Sequence, residues 1–367
     1  MTFPRPEFMR LALRLARRGV GKTSPNPAVG AVVVKGGMVV GSGYHRAAGF
    51  PHAEVEAIRA AGKRAPGADL YVTLEPCAHR GRTGPCTEEV LAAGIRRVAA
   101  AMVDPNPLVS GKGVSVLEGA GVQVVTGLFE REAMALNRPY CRWISTGRPY
   151  VTLKLAISLD GQIAGASGES RWISGERSRA LAHRMRSVSD AVLVGGGTLR
   201  RDDPVLSCRI RGGRDPKRVI VTSRLGNIGR RRLFREGCGE VIIACPSGVP
   251  SRDVEGARRL GAKVLSLPSR GGRIAAKDLM SALGKEGITS LLVEGGALTA
   301  GWLIAENAVD RFVLFLSPVV LGEGIRAVGG WSARSPAEGK KVVIESVRRV
   351  GEDVLVTAVA APAGRRE

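Results

Sequence analysis

The chain has 367 residues, a length that fits about two domains, and 44% of them are hydrophobic, enough for sizeable cores. Its net charge is +22, carried by 44 arginines and 11 lysines that are scattered along the chain, while only 4% of residues are aromatic. That combination argues against a stacking platform for nucleic acid and leaves small phosphorylated molecules as suitable ligands for a basic site.

Phe8, Leu11, Ala12 and Leu15 recur at helical spacing and predict an amphipathic helix over 8–18. Two runs rich in valine and glycine, 28–34 and 38–43, flank Lys35-Gly36-Gly37 and read as a hairpin. Gly19-Val20-Gly21-Lys22-Thr23 imitates the end of a phosphate-binding loop. The first glycine of that motif would fall at Ala16, inside a helix with no strand before it, so the motif fails.

His52-Ala53-Glu54 opens an alanine-rich helical stretch ending at Ala61. A strand over 69–75 then delivers Glu75-Pro76-Cys77, and Cys86 immediately precedes a helix over 87–93. One imidazole and two thiolates suit tetrahedral zinc, and three protein ligands leave the fourth position for water, as in catalytic sites. The order matches zinc nucleobase deaminases, H-x-E followed by P-C-x-x-C, in which the glutamate moves protons and is not a ligand. The spacing departs from that form, because eight residues (78–85) separate the cysteines instead of two. A strand over 95–102, a helix over 113–119, a strand over 122–126 and a single helix over 129–146 complete a three-layer α/β pattern on a mixed sheet.

Gly147-Arg148-Pro149 reads as a joint. Strands are predicted after it over 150–158, 190–195, 218–222, 240–244, 262–266, 290–293 and 311–316, helices over 178–188, 276–285 and 299–307, and a closing hairpin over 341–349 and 353–358. The 299–316 stretch suits either a dimer face or core. Gly195-Gly196-Gly197-Thr198 and Glu294-Gly295-Gly296 each end a strand, where backbone amides are able to cradle phosphate. Neither completes a Rossmann fingerprint, since Arg200 stands where the third glycine belongs. No apolar run reaches the ~20 residues of a membrane span, and the first residues lack a signal-peptide pattern. Six cysteines in so long a chain do not form a disulfide framework, so a cytoplasmic protein is expected.

These segments resemble the bacterial bifunctional riboflavin-biosynthesis enzymes, a pyrimidine deaminase fused to a reductase. The likeness rests on Ser24-Pro25-Asn26-Pro27-Ala28-Val29-Gly30, Gly43-Tyr44-His45, the stretch from Tyr71 to Cys86 with its His79-Arg80-Gly81-Arg82-Thr83 insert, and Asp104-Pro105-Asn106-Pro107. In the second half it rests on Lys154-Leu155-Ala156, Ser167 to Ile173, Asp202-Asp203-Pro204 and Val293-Glu294-Gly295-Gly296. It implies a cytidine-deaminase-like α/β/α domain over 1–147 and a dihydrofolate-reductase-like α/β domain over 148–367. It also implies zinc and NADPH as cofactors, a phosphorylated pyrimidine as substrate, and a homo-oligomer formed through the reductase domain, with no nucleic-acid or membrane partner.

Carried over residue by residue, the resemblance implies His52, Cys77 and Cys86 as zinc ligands and Glu54 as the acid–base residue. Asn26, His45, His79, Arg82, Asp104 and Asn106 would line the pyrimidine pocket. The family often has lysine where Arg82 stands, and the two cations differ in geometry. The implied NADPH contacts are Ala156, Trp172, Thr198, Asp202, Ser223, Gly295 and Gly296. Ser170, Arg186, Leu206, Arg209 and Glu294 would hold the second substrate, with Arg186 and Arg209 as phosphate clamps. The strand over 218–222 ends in Ser223-Arg224 with no carboxylate to hold a ribose 2′-hydroxyl, which fits NADPH. A zinc deaminase acting on nucleic acid would use the same triad, but it gives the Ser170–Trp172 segment and the glycine-rich strand ends no role.

Overall fold

A computed structural model describes residues 3–79, 84–236 and 239–361, and the chain divides into two units, Met1–Gly147 and Arg148–Glu367. The first unit runs α1 (Pro6–Ala16), β1 (Gly30–Lys35), β2 (Met38–Tyr44), α2 (Ala53–Ala61), β3 (Asp69–Val72), α3 (Cys86–Ala92), β4 (Arg97–Ala100), α4 (Lys112–Gly119), β5 (Gln123–Thr126), α5 (Glu130–Leu136) and α6 (Arg138–Thr146). Its sheet has the order β2-β1-β3-β4-β5. β1 is antiparallel to both neighbours, and β3, β4 and β5 are parallel.

β1 is buried along its length except at Lys35, as expected of a strand covered on both faces. Small residues set how closely the helices lie on it. A Cβ on Gly30 would stand 2.1 Å from the Ala12 carbonyl oxygen of α1, and one on Gly41 would stand 2.2 Å from that of Ala57 in α2. Glycine is therefore required at both contacts. α2 presents Ala53, Ala57 and Ala61 as its buried face, so the helix that carries Glu54 is seated directly on the strands.

The single helix expected over 129–146 is two helices. Asn137 breaks it, and its side chain pairs with the Ala28 backbone, accepting from N–H at 2.8 Å and donating to C=O at 3.0 Å. Pro139 then stands at the second position of α6, where the missing N–H costs nothing.

The second unit runs β6 (Tyr150–Ser158), β7 (Gln162–Ala164), α7 (Glu176–Val188), β8 (Ala191–Gly195), α8 (Gly196–Asp202), β9 (Lys217–Val221), α9 (Arg232–Arg235), β10 (Val241–Pro246), α10 (Ser251–Arg259), β11 (Lys263–Leu267), β12 (Ser269–Arg270), β13 (Arg273–Ile274), α11 (Ala276–Lys285), β14 (Ser290–Val293), α12 (Ala297–Ala305), β15 (Arg311–Ser317), β16 (Ile325–Arg326), β17 (Val342–Val350) and β18 (Asp353–Ala360). Nine strands form a sheet of order β11-β10-β9-β8-β14-β6-β15-β18-β17. It is parallel from β11 to β15, and the terminal hairpin adds two antiparallel strands.

α12 and β15 contribute to the core, with Ala300, Leu303 and Phe315 at 0% exposure. α8 and α10 were not expected. α10 buries only Val254 and Ala257, too few apolar residues to register as a periodic stripe. Among the described residues no helix is long and apolar enough to cross a membrane.

Candidate active sites

His52 caps α2 and Glu54 lies in its first turn. Cys77 follows β3 in the loop, and Cys86 is the first residue of α3. His52 Nδ1 stands 3.0 Å from Cys86 Sγ and 3.6 Å from Cys77 Sγ. The three donor atoms lie within 4.8 Å of one another, and an imidazole nitrogen with two sulfurs is a donor set that fits zinc. Hydrogen bonding between the two sulfurs lowers Cys77 and raises Cys86. Hydrogen bonding to Cys77 raises His52.

Glu54 is buried beside this cluster, and desolvation raises its carboxyl to about 7. A carboxyl poised near neutrality both takes up and returns protons.

His52, Cys77 and Glu54 line one cavity of about 420 Å³ that also holds Asn26, His45, His79, Asp104 and Asn106. The expected pyrimidine-pocket residues are thus brought together, except Arg82, which lies outside the described residues. His45 is buried, which lowers its pKa and favours the neutral ring. Its Nδ1 lies 3.1 Å from the Pro51 carbonyl oxygen and its Nε2 3.1 Å from Asn26 Nδ2. A proton on Nδ1 satisfies the first contact and leaves Nε2 to accept from the Asn26 amide.

Two residues of this site were not anticipated. Tyr140 donates its hydroxyl hydrogen to Asp104, 2.9 Å from Oδ1 and 3.1 Å from Oδ2. Buried Glu75 accepts four backbone N–H groups: Asp104 and Gly111 at Oε2 (3.1 and 3.0 Å), Gly113 and Val114 at Oε1 (2.8 and 3.2 Å).

In the second unit β8 and β14 are neighbours, so the two glycine-rich strand ends lie side by side. Thr198 Oγ1 accepts the Gly296 N–H at 3.1 Å and ties them together. A cavity of about 750 Å³ opens there, lined by Ala156, Thr198, Asp202, Ser223, Gly295 and Gly296. A second cavity of about 780 Å³ is lined by Ser170, Trp172, Arg186, Leu206, Arg209 and Glu294. Lys154, Ala156, Ser170, Thr198, Asp202 and Glu294 border both.

Trp172 thus lines the second cavity and not the first. It is 68% exposed, and the Arg179 guanidinium lies 4.6 Å from its ring centre. Arg186 is not an open phosphate clamp: Nε and Nη2 bond Glu294, and Nη1 donates to the Ser207 carbonyl oxygen at 2.9 Å. Lys154 was not singled out, and burial lowers its pKa. The signal was available, because residues 154 and 156 share one face of a strand.

Fold and site together define a zinc-dependent deaminase unit joined to a reductase unit of the dihydrofolate-reductase-like type. Residues 4–102 match the cytidine and deoxycytidylate deaminase zinc-binding region, and residues 149–356 match the RibD C-terminal domain. The chain is 43% identical over 351 residues to the riboflavin biosynthesis protein RibD of Aquifex aeolicus, covering 95% of this chain and 96% of that one. It is 39% identical over 370 residues to RibD of Escherichia coli, covering 96% and 99%.

Acinetobacter baumannii RibD superposes with a TM-score of 0.88 at 37% identity, covering 97% of this chain and 99% of that one. The Thermotoga maritima diaminohydroxyphosphoribosylaminopyrimidine deaminase/5-amino-6-(5-phosphoribosylamino)uracil reductase does so at 0.85 and 34%, covering 97% and 98%. The chain belongs to the RibD family of bifunctional riboflavin-biosynthesis enzymes.

Proposed function

We propose that residues 1–147 deaminate 2,5-diamino-6-ribosylamino-4(3H)-pyrimidinone 5′-phosphate and that residues 148–367 reduce the ribosyl group of the product to ribityl with NADPH. The observation that carries the first half is the buried Glu54 carboxyl in one cavity with His52 and Cys77, which stand together with Cys86 as metal donors. His52, Cys77 and Cys86 would hold zinc, which would supply Lewis-acid activation of water at neutral pH. Glu54 takes a proton from the attacking water and returns protons to the ring nitrogen and the departing amine, so that water enters at C2 and ammonia leaves. Asn26, His45, His79, Asp104 and Asn106 orient the ring and its ribosyl phosphate, and Arg82 provides the cation for the phosphate.

In the second unit NADPH, when bound, supplies the reducing equivalent to C1′. Ala156, Thr198, Asp202, Ser223, Gly295 and Gly296 line its cavity, and Trp172 approaches from the adjoining one. Ser170, Leu206, Arg209 and Glu294 hold the ribotide next to it, and Arg186 fixes the Glu294 carboxylate. The shared border of the two cavities supports hydride transfer between their occupants, because reacting atoms must come within about 3–3.5 Å.

A homo-oligomer through this unit is supported by β17, an edge strand with Val343, Ile344 and Val347 exposed. We also place the enzyme in the cytoplasm, whose reducing conditions keep the ligand thiols available.

The test supplies the diaminopyrimidine ribotide with and without NADPH while ammonia and NADPH absorbance are followed. Ammonia in both samples and NADPH loss in one is expected. Ammonia without NADPH consumption would refute the reductase half, and salt-sensitive tRNA binding without ammonia would refute both.

A further inference from the structure

The two family matches end at residue 102 and resume at 149. The intervening segment nevertheless supplies a wall of the deaminase cavity: Asp104, Asn106, Val109, Tyr140, Trp143 and Ile144. Within it Tyr140 is the only buried residue of α6. Its position is set from the turn before. Asn137, three residues earlier, is locked to the Ala28 backbone, two residues from Asn26, which also lines the cavity.

The Tyr140 hydroxyl straddles both oxygens of Asp104. Burial pushes the phenol far above its ordinary value, so the hydroxyl keeps its proton and acts as donor. Asp104 Oδ1 also accepts the Asn106 N–H at 2.8 Å, which fills that oxygen. Oδ2 receives only the shared Tyr140 hydrogen among the described residues and retains acceptor capacity.

We propose that Tyr140 is a positioning residue for deamination, holding Asp104 and through it Asn106 so that Asp104 Oδ2 accepts a hydrogen bond from the pyrimidine ribotide. The proposal rests on the reading of Asp104 as a substrate-binding residue. It gives the inter-match segment a function: recognition of this substrate is built there, on a zinc site common to many deaminases.

The experiment compares the full-length enzyme with Tyr140→Phe, Asp104→Asn and the double variant, measuring KM and kcat for ammonia release, zinc content, and the reductase rate on the deaminated intermediate. Loss of a hydrogen bond to a charged group predicts a KM about tenfold higher in Tyr140→Phe with kcat nearly unchanged. Zinc content and reductase rate stay at the parent level. Because Tyr140 acts through Asp104, the double variant loses no more than Asp104→Asn alone.

A parental KM in Tyr140→Phe beside a raised KM in Asp104→Asn overturns the proposal and leaves the reading of Asp104 intact. Losses that multiply in the double variant overturn it too, as does loss of zinc in Tyr140→Phe. A parental KM in Asp104→Asn removes both the proposal and the reading beneath it.

Discussion

Arg186 and Glu294 form a buried two-pronged ion pair, Nε to Oε1 at 2.7 Å and Nη2 to Oε2 at 2.8 Å. Burial alone would raise the carboxyl, but the guanidinium overrides it and holds Glu294 below its ordinary value. A carboxyl with a lowered folded-state pKa stabilises the fold above its unfolded pKa, and that contribution is lost as pH falls through the folded value. Removing one partner of a buried pair leaves an uncompensated charge, so Arg186→Met is expected to cost the reductase unit about 3–5 kcal/mol at neutral pH. That cost should shrink as the pH falls, because burial without the guanidinium raises Glu294, and a carboxyl that protonates more readily folded than unfolded regains stability on acidification. Urea titrations across pH check both. A cost that does not change with pH would mean that the pair does not set the Glu294 protonation state.

Glu54→Gln preserves the shape of the side chain but cannot move protons. Ammonia release should fall by at least about 10²-fold, the lower end for a general acid–base residue. Zinc content by elemental analysis and the reductase rate on the deaminated intermediate should match the parent. Substantial ammonia release by a zinc-replete variant would remove Glu54 from the chemistry.

Cys86 is fully buried and stands with His52 and Cys77 as the one group of possible metal donors among the described residues. Cys86→Ser is therefore expected to lose zinc in elemental analysis and to release no ammonia. Dialysis of the parent against a chelator should do the same, and added zinc should restore it. Reduction of the deaminated intermediate should persist in both samples. A chelated enzyme that still releases ammonia would contradict the metal assignment.

Ser223 lines the cavity proposed for NADPH, just after β9, without a neighbouring carboxylate among that strand's residues. Ser223→Asp introduces the group that holds a ribose 2′-hydroxyl and repels a 2′-phosphate. The ratio of kcat/KM for NADPH to that for NADH should fall, checked with both cofactors at fixed substrate. A preserved ratio would place 2′-phosphate recognition elsewhere in the cavity.

What could be read from the sequence depended on where each residue finds its partners. His52, Glu54, Cys77 and Cys86 announce themselves because zinc demands particular donors and the motif places them in a fixed order. Asp104, Asn106 and Glu294 were reached through resemblance alone, since a lone carboxylate or amide has no local pattern. The strands of the two main sheets were legible from their β-branched runs, whereas the short strands β7, β12, β13 and β16 offered no such run and α10 was hidden by its polar face. The break at Asn137 depends on Ala28, a residue 109 positions away, and no local periodicity reports such a pairing. Tyr140 was passed over for the same reason: its partner Asp104 is 36 residues distant.

Glu75 shows how a residue read only as part of a motif takes on a structural task. Its two oxygens accept N–H groups from residues 104, 111, 113 and 114, which binds the residue before Pro76-Cys77 to the loop carrying Asp104 and to the start of α4. Gly113 permits this closeness, since a Cβ there would stand 1.9 Å from the Pro76 carbonyl oxygen. In Glu75→Gln one acceptor oxygen becomes an NH₂ group, so two amides lose their partner and face a donor. Each unsatisfied buried donor costs about 1–3 kcal/mol, so the deaminase unit should lose at least about 2 kcal/mol. Glu75→Asp keeps both acceptor oxygens but shortens their reach, and should lose less. Thermal melts of the zinc-loaded enzyme compare the two variants. Equal losses would show that reach, and not acceptor count, decides the stability of this junction.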